Sequence, residues 1–190
     1  MRWIGLTVSL ALATMLGACF IQHPAPIGVA EGAQAGEWSG VWVAQPNRDG
    51  EEPGFFRVTD VDPAAGQFEV EEADADGTGQ GDKMELRLRR VGEQRFLDVR
   101  EKTDGPWMLF VVESATADEI VLAWKPAAAP FEAAIARGDY QATLTKNSDG
   151  DVSEIVMANL NEAEAKLLAA NWRDLFVAER MTMRRMASAD

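Results

Sequence analysis

Lys83-Met84-Glu85-Leu86-Arg87-Leu88-Arg89-Arg90 alternates charged and apolar side chains at every step from Lys83 to Arg89. A period of two puts Met84, Leu86 and Leu88 on one face and Lys83, Glu85, Arg87 and Arg89 on the other. That is the pattern of a half-buried β-strand. Tyr140, Ala142 and Leu144 repeat it against Gln141, Thr143 and Thr145. Trp107–Val112 is apolar on both faces, which predicts a central strand or one covered by a helix. Extending the reading predicts strands at Trp38–Ala44, Phe55–Val61, Gln67–Glu72, Lys83–Arg90, Arg95–Arg100, Trp107–Glu113, Glu119–Lys125, Tyr140–Thr145 and Val152–Met157. The separators Asn47-Arg48-Asp49-Gly50, Asp62-Pro63, Asp104-Gly105-Pro106 and Asn147-Ser148-Asp149-Gly150 are strong turn formers. Parallel pairing would need crossover helices that the spacing does not supply, so the strands pair antiparallel. The fold class expected is all-β or β-rich, an antiparallel barrel or strongly curved sheet of about eight to nine short strands.

Two segments break the strand period. Phe131–Arg137 reads as a short helical turn ending at Gly138. Residues 161–179 read as a C-terminal helix packed against the sheet. Asn161 is placed to cap it, with Glu164 three residues on to complete a capping box. Leu168, Trp172, Leu175 and Phe176 share one side, which predicts packing against the body. Residues 37–180 form one domain, and 181–190 are read as a tail that frays or serves as a small contact patch.

The N-terminus has another character. Arg2 is the only charged residue before position 19, and Trp3–Ala18 is mostly apolar. This is the layout of a secretory signal peptide, shorter than a membrane-spanning helix requires. The run Leu16-Gly17-Ala18-Cys19 resembles the lipobox of bacterial lipoproteins. The resemblance implies removal of residues 1–18 and joining of the Cys19 thiol to a diacylglycerol, often with acylation of the new amino group. Two or more acyl chains anchor a protein firmly. Phe20, not aspartate, follows the cysteine, which resembles the outer-membrane sorting pattern. The expected location is the cell envelope, facing the periplasm. Residues 20–36 hold two prolines and three glycines and read as a flexible tether. His23, the only histidine, then falls in that tether as a spacer residue.

The net charge of −13 disfavours nucleic acid and anionic head groups, leaving the acyl chains as the attachment to lipid. With one cysteine and one histidine, the common histidine-assisted nucleophile sites and histidine–cysteine zinc sites are not expected. The loop from Asp74 to Glu85 places oxygen-bearing side chains at Asp74, Asp76, Thr78, Gln80 and Asp82, with Glu85 last and Gly79 and Gly81 between. A calcium loop is one reading, because a hard cation gathers six to eight oxygens. A solvated hairpin loop is the other. Trp38, Trp42, Trp107, Trp124 and Trp172 either line an apolar cavity or fill the core.

Gly40-Val41-Trp42 resembles the Gly-x-Trp signature of lipocalins and related calycins. In that family the tryptophan packs across the closed end of an eight-stranded barrel and a helix follows on the outside; some bacterial lipocalins are lipoproteins. The resemblance implies that Trp42 is the barrel-floor residue and that Gly40 gives it room. The last strand read here, Val152–Met157, ends without an arginine to stack on that tryptophan. The function expected is a non-enzymatic binding or structural role on another envelope component. The alternatives are a carrier of a small apolar ligand and, third, a carboxylate-based enzyme on envelope sugars or lipids.

Overall fold

The computed structural model describes residues 20–46, 52–101, 104–148 and 152–187. Cys19 and the signal segment lie outside the described residues. In chain order the strands are β1 (Phe20–His23), β2 (Val29–Ala30), β3 (Gly40–Ala44), β4 (Gly54–Asp62), β5 (Gln67–Ala73), β6 (Gly79–Val91), β7 (Gln94–Arg100), β8 (Trp107–Ala115), β9 (Glu119–Ala123), β10 (Ala142–Lys146), β11 (Val152–Met157) and β12 (Met181–Arg185). Helix α1 spans Ala128–Arg137 and α2 spans Glu162–Leu175.

Strands β3 to β9 pair in sequence order, each antiparallel to the next. β12 then pairs with both β9 and β3 and closes an eight-stranded barrel. The closing strand is therefore Met181–Arg185, in the segment read from sequence as a tail. Its five residues are too few, and Met-Thr-Met-Arg-Arg too weakly alternating, to signal a strand alone. Closure removes the unpaired edges that β3 and β9 would otherwise expose.

β8 is shared. Its second half pairs with β9, from Val111↔Ala123 to Ala115↔Ile120. Its first half pairs with β1, at Gln22↔Met108 and His23↔Trp107. β1 in turn runs parallel to β11, which pairs with β10, so a small side sheet peels off the barrel wall. Residues 20–36 are thus not a free tether. Ile21 and Ile27 are buried, and Ala33 donates its N–H to the Pro63 carbonyl at 2.8 Å. Proline and glycine here bend the chain over the barrel surface instead of loosening it.

Alternation divides the apolar side chains into two layers. Inward go Trp42, Phe56, Val58, Phe68, Val70, Met84, Leu86, Leu88, Leu97, Val99, Phe110 and Leu122. Outward from β7 and β8 go Phe96, Leu109 and Val111, which meet Ile21, Phe131, Tyr140, Leu168, Trp172 and Phe176 in a second core. This explains why Trp107–Val112 is apolar on both faces. Helix α2 begins at the Asn161 capping box, with Asn161 Oδ1 accepting from Ala163 and Glu164 and Glu164 Oε2 accepting from the Asn161 N–H. It ends at Leu175, earlier than the pattern suggested, because Phe176 turns extended to bridge Pro126. Helix α1 is longer than expected and stops at Gly138, which adopts a left-handed conformation.

Candidate functional site

The barrel interior holds an apolar cavity on which strands from all sides converge, with a volume of about 110 Å³. Its lining runs from Trp42 and Trp38 through Phe56, Val70, Met84 and Leu86 to Phe20, Val99 and Phe110. Four methionines, Met84, Met108, Met181 and Met183, belong to it. Unbranched thioether side chains adapt their shape to an irregular guest. Among the described residues, Glu101 is the only charged one of the lining, exposed just beyond the end of β7.

One end of the barrel is shut. Trp42 is fully buried there, and its indole N–H donates to the Trp38 carbonyl at 2.8 Å. The Arg185 guanidinium lies over the Trp42 ring, 4.4 Å from its centre. It also donates to the carbonyls of Glu37, Ser39 and Ala117, tying the approach to β3 and the β8–β9 turn to the last barrel strand. Gly40 has φ +133°, and a Cβ there would stand 2.8 Å from Arg185 Nη1. The glycine therefore makes room for the arginine more than for the tryptophan. The stacking arginine missing from the sequence reading is Arg185, overlooked because its strand was. In comparison with known proteins, no family model, no curated protein and no solved structure matches this chain.

At the opposite end the barrel carries acidic side chains. Glu72 pairs across β4–β5 with the inward-facing Phe56, which places it on the inner face. Its Oε1 is buried without a hydrogen-bond partner, and burial raises its carboxyl above the ordinary range.

The wall has a seam on one side. β9 leaves β8 after Ala123, and β1 takes over its place along β8. Phe20 fills the inside of this seam, with its ring centre 6.0 Å from Phe110 and 5.7 Å from Trp124. β1 is fastened by a buried pair. His23 Nε2 lies 3.1 Å from Asp98 Oδ1, with both side chains fully buried. His23 Nδ1 donates to the Ala25 carbonyl at 2.6 Å, and Asp98 Oδ2 accepts from the Ile27 N–H at 3.0 Å. Nε2 and Oδ1 face each other inside the protein, with no other polar partner for either atom. His23 is thus a fastener of the N-terminal strand, not a spacer.

The remaining sequence candidates separate. Trp38 and Trp42 line the cavity, and Trp124 flanks Phe20. Trp107 faces outward beneath the Arg100 guanidinium at 4.1 Å, and Trp172 sits in the outer core, so neither touches the cavity. The acidic loop is a tight β5–β6 turn. Asp74 N–H donates to the Thr78 carbonyl at 2.9 Å, Asp76 Oδ1 accepts from the Thr78 N–H at 2.8 Å, and Gln80 donates to Asp74. Gln80, Asp82 and Glu85 already belong to β6, where Glu85 is held by Arg87 and Arg100. Among the described residues no group of three acidic, histidine or cysteine side chains is arranged to hold a metal ion, and the calcium reading gains no geometry. Successive β-strand side chains point to opposite faces, so along β6 Glu85 lies on the face away from Gln80 and Asp82.

Proposed function

We propose that this chain is a lipid-anchored protein of the bacterial cell envelope whose barrel holds one slim apolar group, without catalysing a reaction. The observation that carries the reading is the cavity of about 110 Å³, walled by aromatic, aliphatic and methionine side chains. An apolar cavity of about 150 Å³ stays dry and accepts a benzene ring. The interior here therefore suits a narrow hydrocarbon, not a bulky polycyclic ligand. The anchor reading rests on the lipobox at Leu16–Cys19 and on the net charge of −13, which disfavours purely electrostatic attachment to a bilayer.

His23 and Asp98 do not suggest a reaction, because both are sealed from solvent and engaged with backbone groups. The described cavity lining offers a single exposed carboxylate, Glu101, with no serine, cysteine, histidine or lysine beside it in the lining. The test uses residues 20–190, expressed without the signal and titrated with alkyl alcohols of increasing length, with tryptophan emission and native mass spectrometry as readouts. A one-to-one adduct that changes the emission of Trp38 and Trp42 is the expected result. Absence of any adduct across the series overturns the binding role.

A further inference from the structure

We propose that the occupant of the barrel is an acyl chain carried on Cys19 of the same molecule, so that the anchor is divided between bilayer and barrel. The proposal rests on the lipid-anchor reading above.

The first argument is position. Phe20 is part of the cavity lining and fills the seam between β9 and β1. Cys19 immediately precedes Phe20 in the sequence, and adjacent Cα atoms are about 3.8 Å apart. From Phe20 onward the chain is fixed to the body by the β1 pairings, the buried Ile21 and Ile27 and the His23–Asp98 pair. The residue that follows the acylation point is itself part of the cavity wall. An acyl chain attached one residue before Phe20 is within reach of an apolar interior.

The second argument is shape. An unbranched hydrocarbon has a small cross-section and can thread a narrow cavity, leaving its remaining length outside. The four lining methionines can move to lengthen the space. The third argument is charge. Glu72 and Glu101 are acidic residues at the end opposite Trp42. They repel the carboxylate of a free fatty acid and the phosphate of a bilayer lipid. A diacylglyceryl group in thioether linkage carries no charge, so its chains meet no such barrier.

The consequence is a barrel seated directly on the bilayer, with one acyl chain able to be withdrawn into the protein. The test uses the full chain made in a host that processes lipoproteins, with methionine methyl groups labelled with carbon-13. Mass spectrometry of the N-terminal fragment first records whether Cys19 is acylated. The protein is then placed in nanodiscs of perdeuterated lipid, so that the only protonated chains are its own. The expected result is nuclear Overhauser contacts from chain methylenes to the methyl groups of Met84, Met108, Met181 and Met183. A Val99→Phe variant, which narrows the cavity, is expected to lose them while keeping its acyl groups. The wild-type spectrum decides the matter should that variant fail to fold. Acylated Cys19 without these contacts overturns the proposal and leaves the anchor reading standing. Contacts that appear only in protonated-lipid nanodiscs assign the cavity to bilayer lipid and overturn it as well. Unmodified Cys19 overturns both.

Discussion

The two faces of the barrel wall are built from the same apolar alphabet and pack differently. Outside, aromatic rings lock one another: Phe131 lies 6.0 Å from Tyr140 and 6.1 Å edge-on from Phe176. Leu168 and Trp172 of α2 are sealed among them. Inside, rings also meet, Phe20 with Phe110 at 6.0 Å and Trp38 with Phe68 at 6.3 Å, but together with methionines and valines they stand around a space of about 110 Å³. A closed eight-stranded barrel has an interior just wide enough for side chains to fill it or to hold one small ligand. Here the choice of side chains leaves room. The difference teaches that rigidity and capacity are separated by one strand thickness: the outer layer holds the fold and the inner layer keeps the space.

The comparison breaks most decisively at Trp172. Trp172→Ala deletes a buried ring from the tightly packed outer layer and is expected to cost about 3–5 kcal/mol, measured by urea unfolding. A loss below about 1 kcal/mol would mean that the outer layer collapses freely and is no more rigid than the inner one. The closed end is next. Gly40→Ala forces a residue with a Cβ to φ +133° and into Arg185 Nη1. The expected cost is about 1–3 kcal/mol. Arg185→Ala loses three hydrogen bonds to carbonyls and the stack on Trp42. Partial exposure of that guanidinium limits its loss to about 1–2 kcal/mol. If both variants unfold like the wild type, the guanidinium over Trp42 is not what shuts this end.

Adding volume sharpens the contrast. Ala134 is fully enclosed in the outer layer, so Ala134→Leu overpacks it and is expected to lose about 1–3 kcal/mol. Val99 faces the cavity, and Val99→Ile adds a methyl group where space exists. That change is expected to be neutral or to gain about 0.5 kcal/mol. Thermal melts of the two variants give opposite shifts if the layers differ as described, and equal losses would contradict the presence of usable room inside.

Much of the barrel was legible in the sequence, because inner residues alternate with charged ones wherever the outer face meets water. Met84, Leu86 and Leu88 against Glu85 and Arg87 are the clearest case. The α2 start was legible because Asn161 and Glu164 satisfy backbone groups locally. What escaped depends on partners far along the chain. Phe20–His23 is a strand only because β8 has an unpaired half and β11 runs alongside. Met181–Arg185 is a strand only because β3 and β9 leave a gap of its width. The Gly-x-Trp context drew attention to Trp42, which the structure shows buried under Arg185, whereas Arg185 was invisible until its strand was placed. The cavity itself was not legible, since the same apolar residues would pack a filled barrel. His23 misled because proline and glycine neighbours suggested mobility, and its partner Asp98 lies in β7, read only as part of a strand.

Asp98 gives the smallest expected effect and tests how the outer layer holds its buried ionisable pair. Burial pushes its carboxyl above the ordinary carboxylate range, because the anion is disfavoured away from water. His23 and the Ile27 N–H oppose that rise without cancelling it. A carboxyl raised in the folded state keeps a proton that the unfolded chain releases. Its contribution to stability is therefore fully present below the unfolded value near 3.8 and is lost as pH rises through the folded value. An Asp98→Asn variant has no titrating proton at this position. Its amide nitrogen could still donate to His23 Nε2, and its amide oxygen could accept from the Ile27 N–H. The wild type should therefore lose stability relative to this variant as pH rises from about 4 toward neutrality, read as diverging urea midpoints. A pH-independent gap between the two would show that the carboxyl titrates alike in the folded and unfolded chains. The fastening of β1 would then rest on geometry alone.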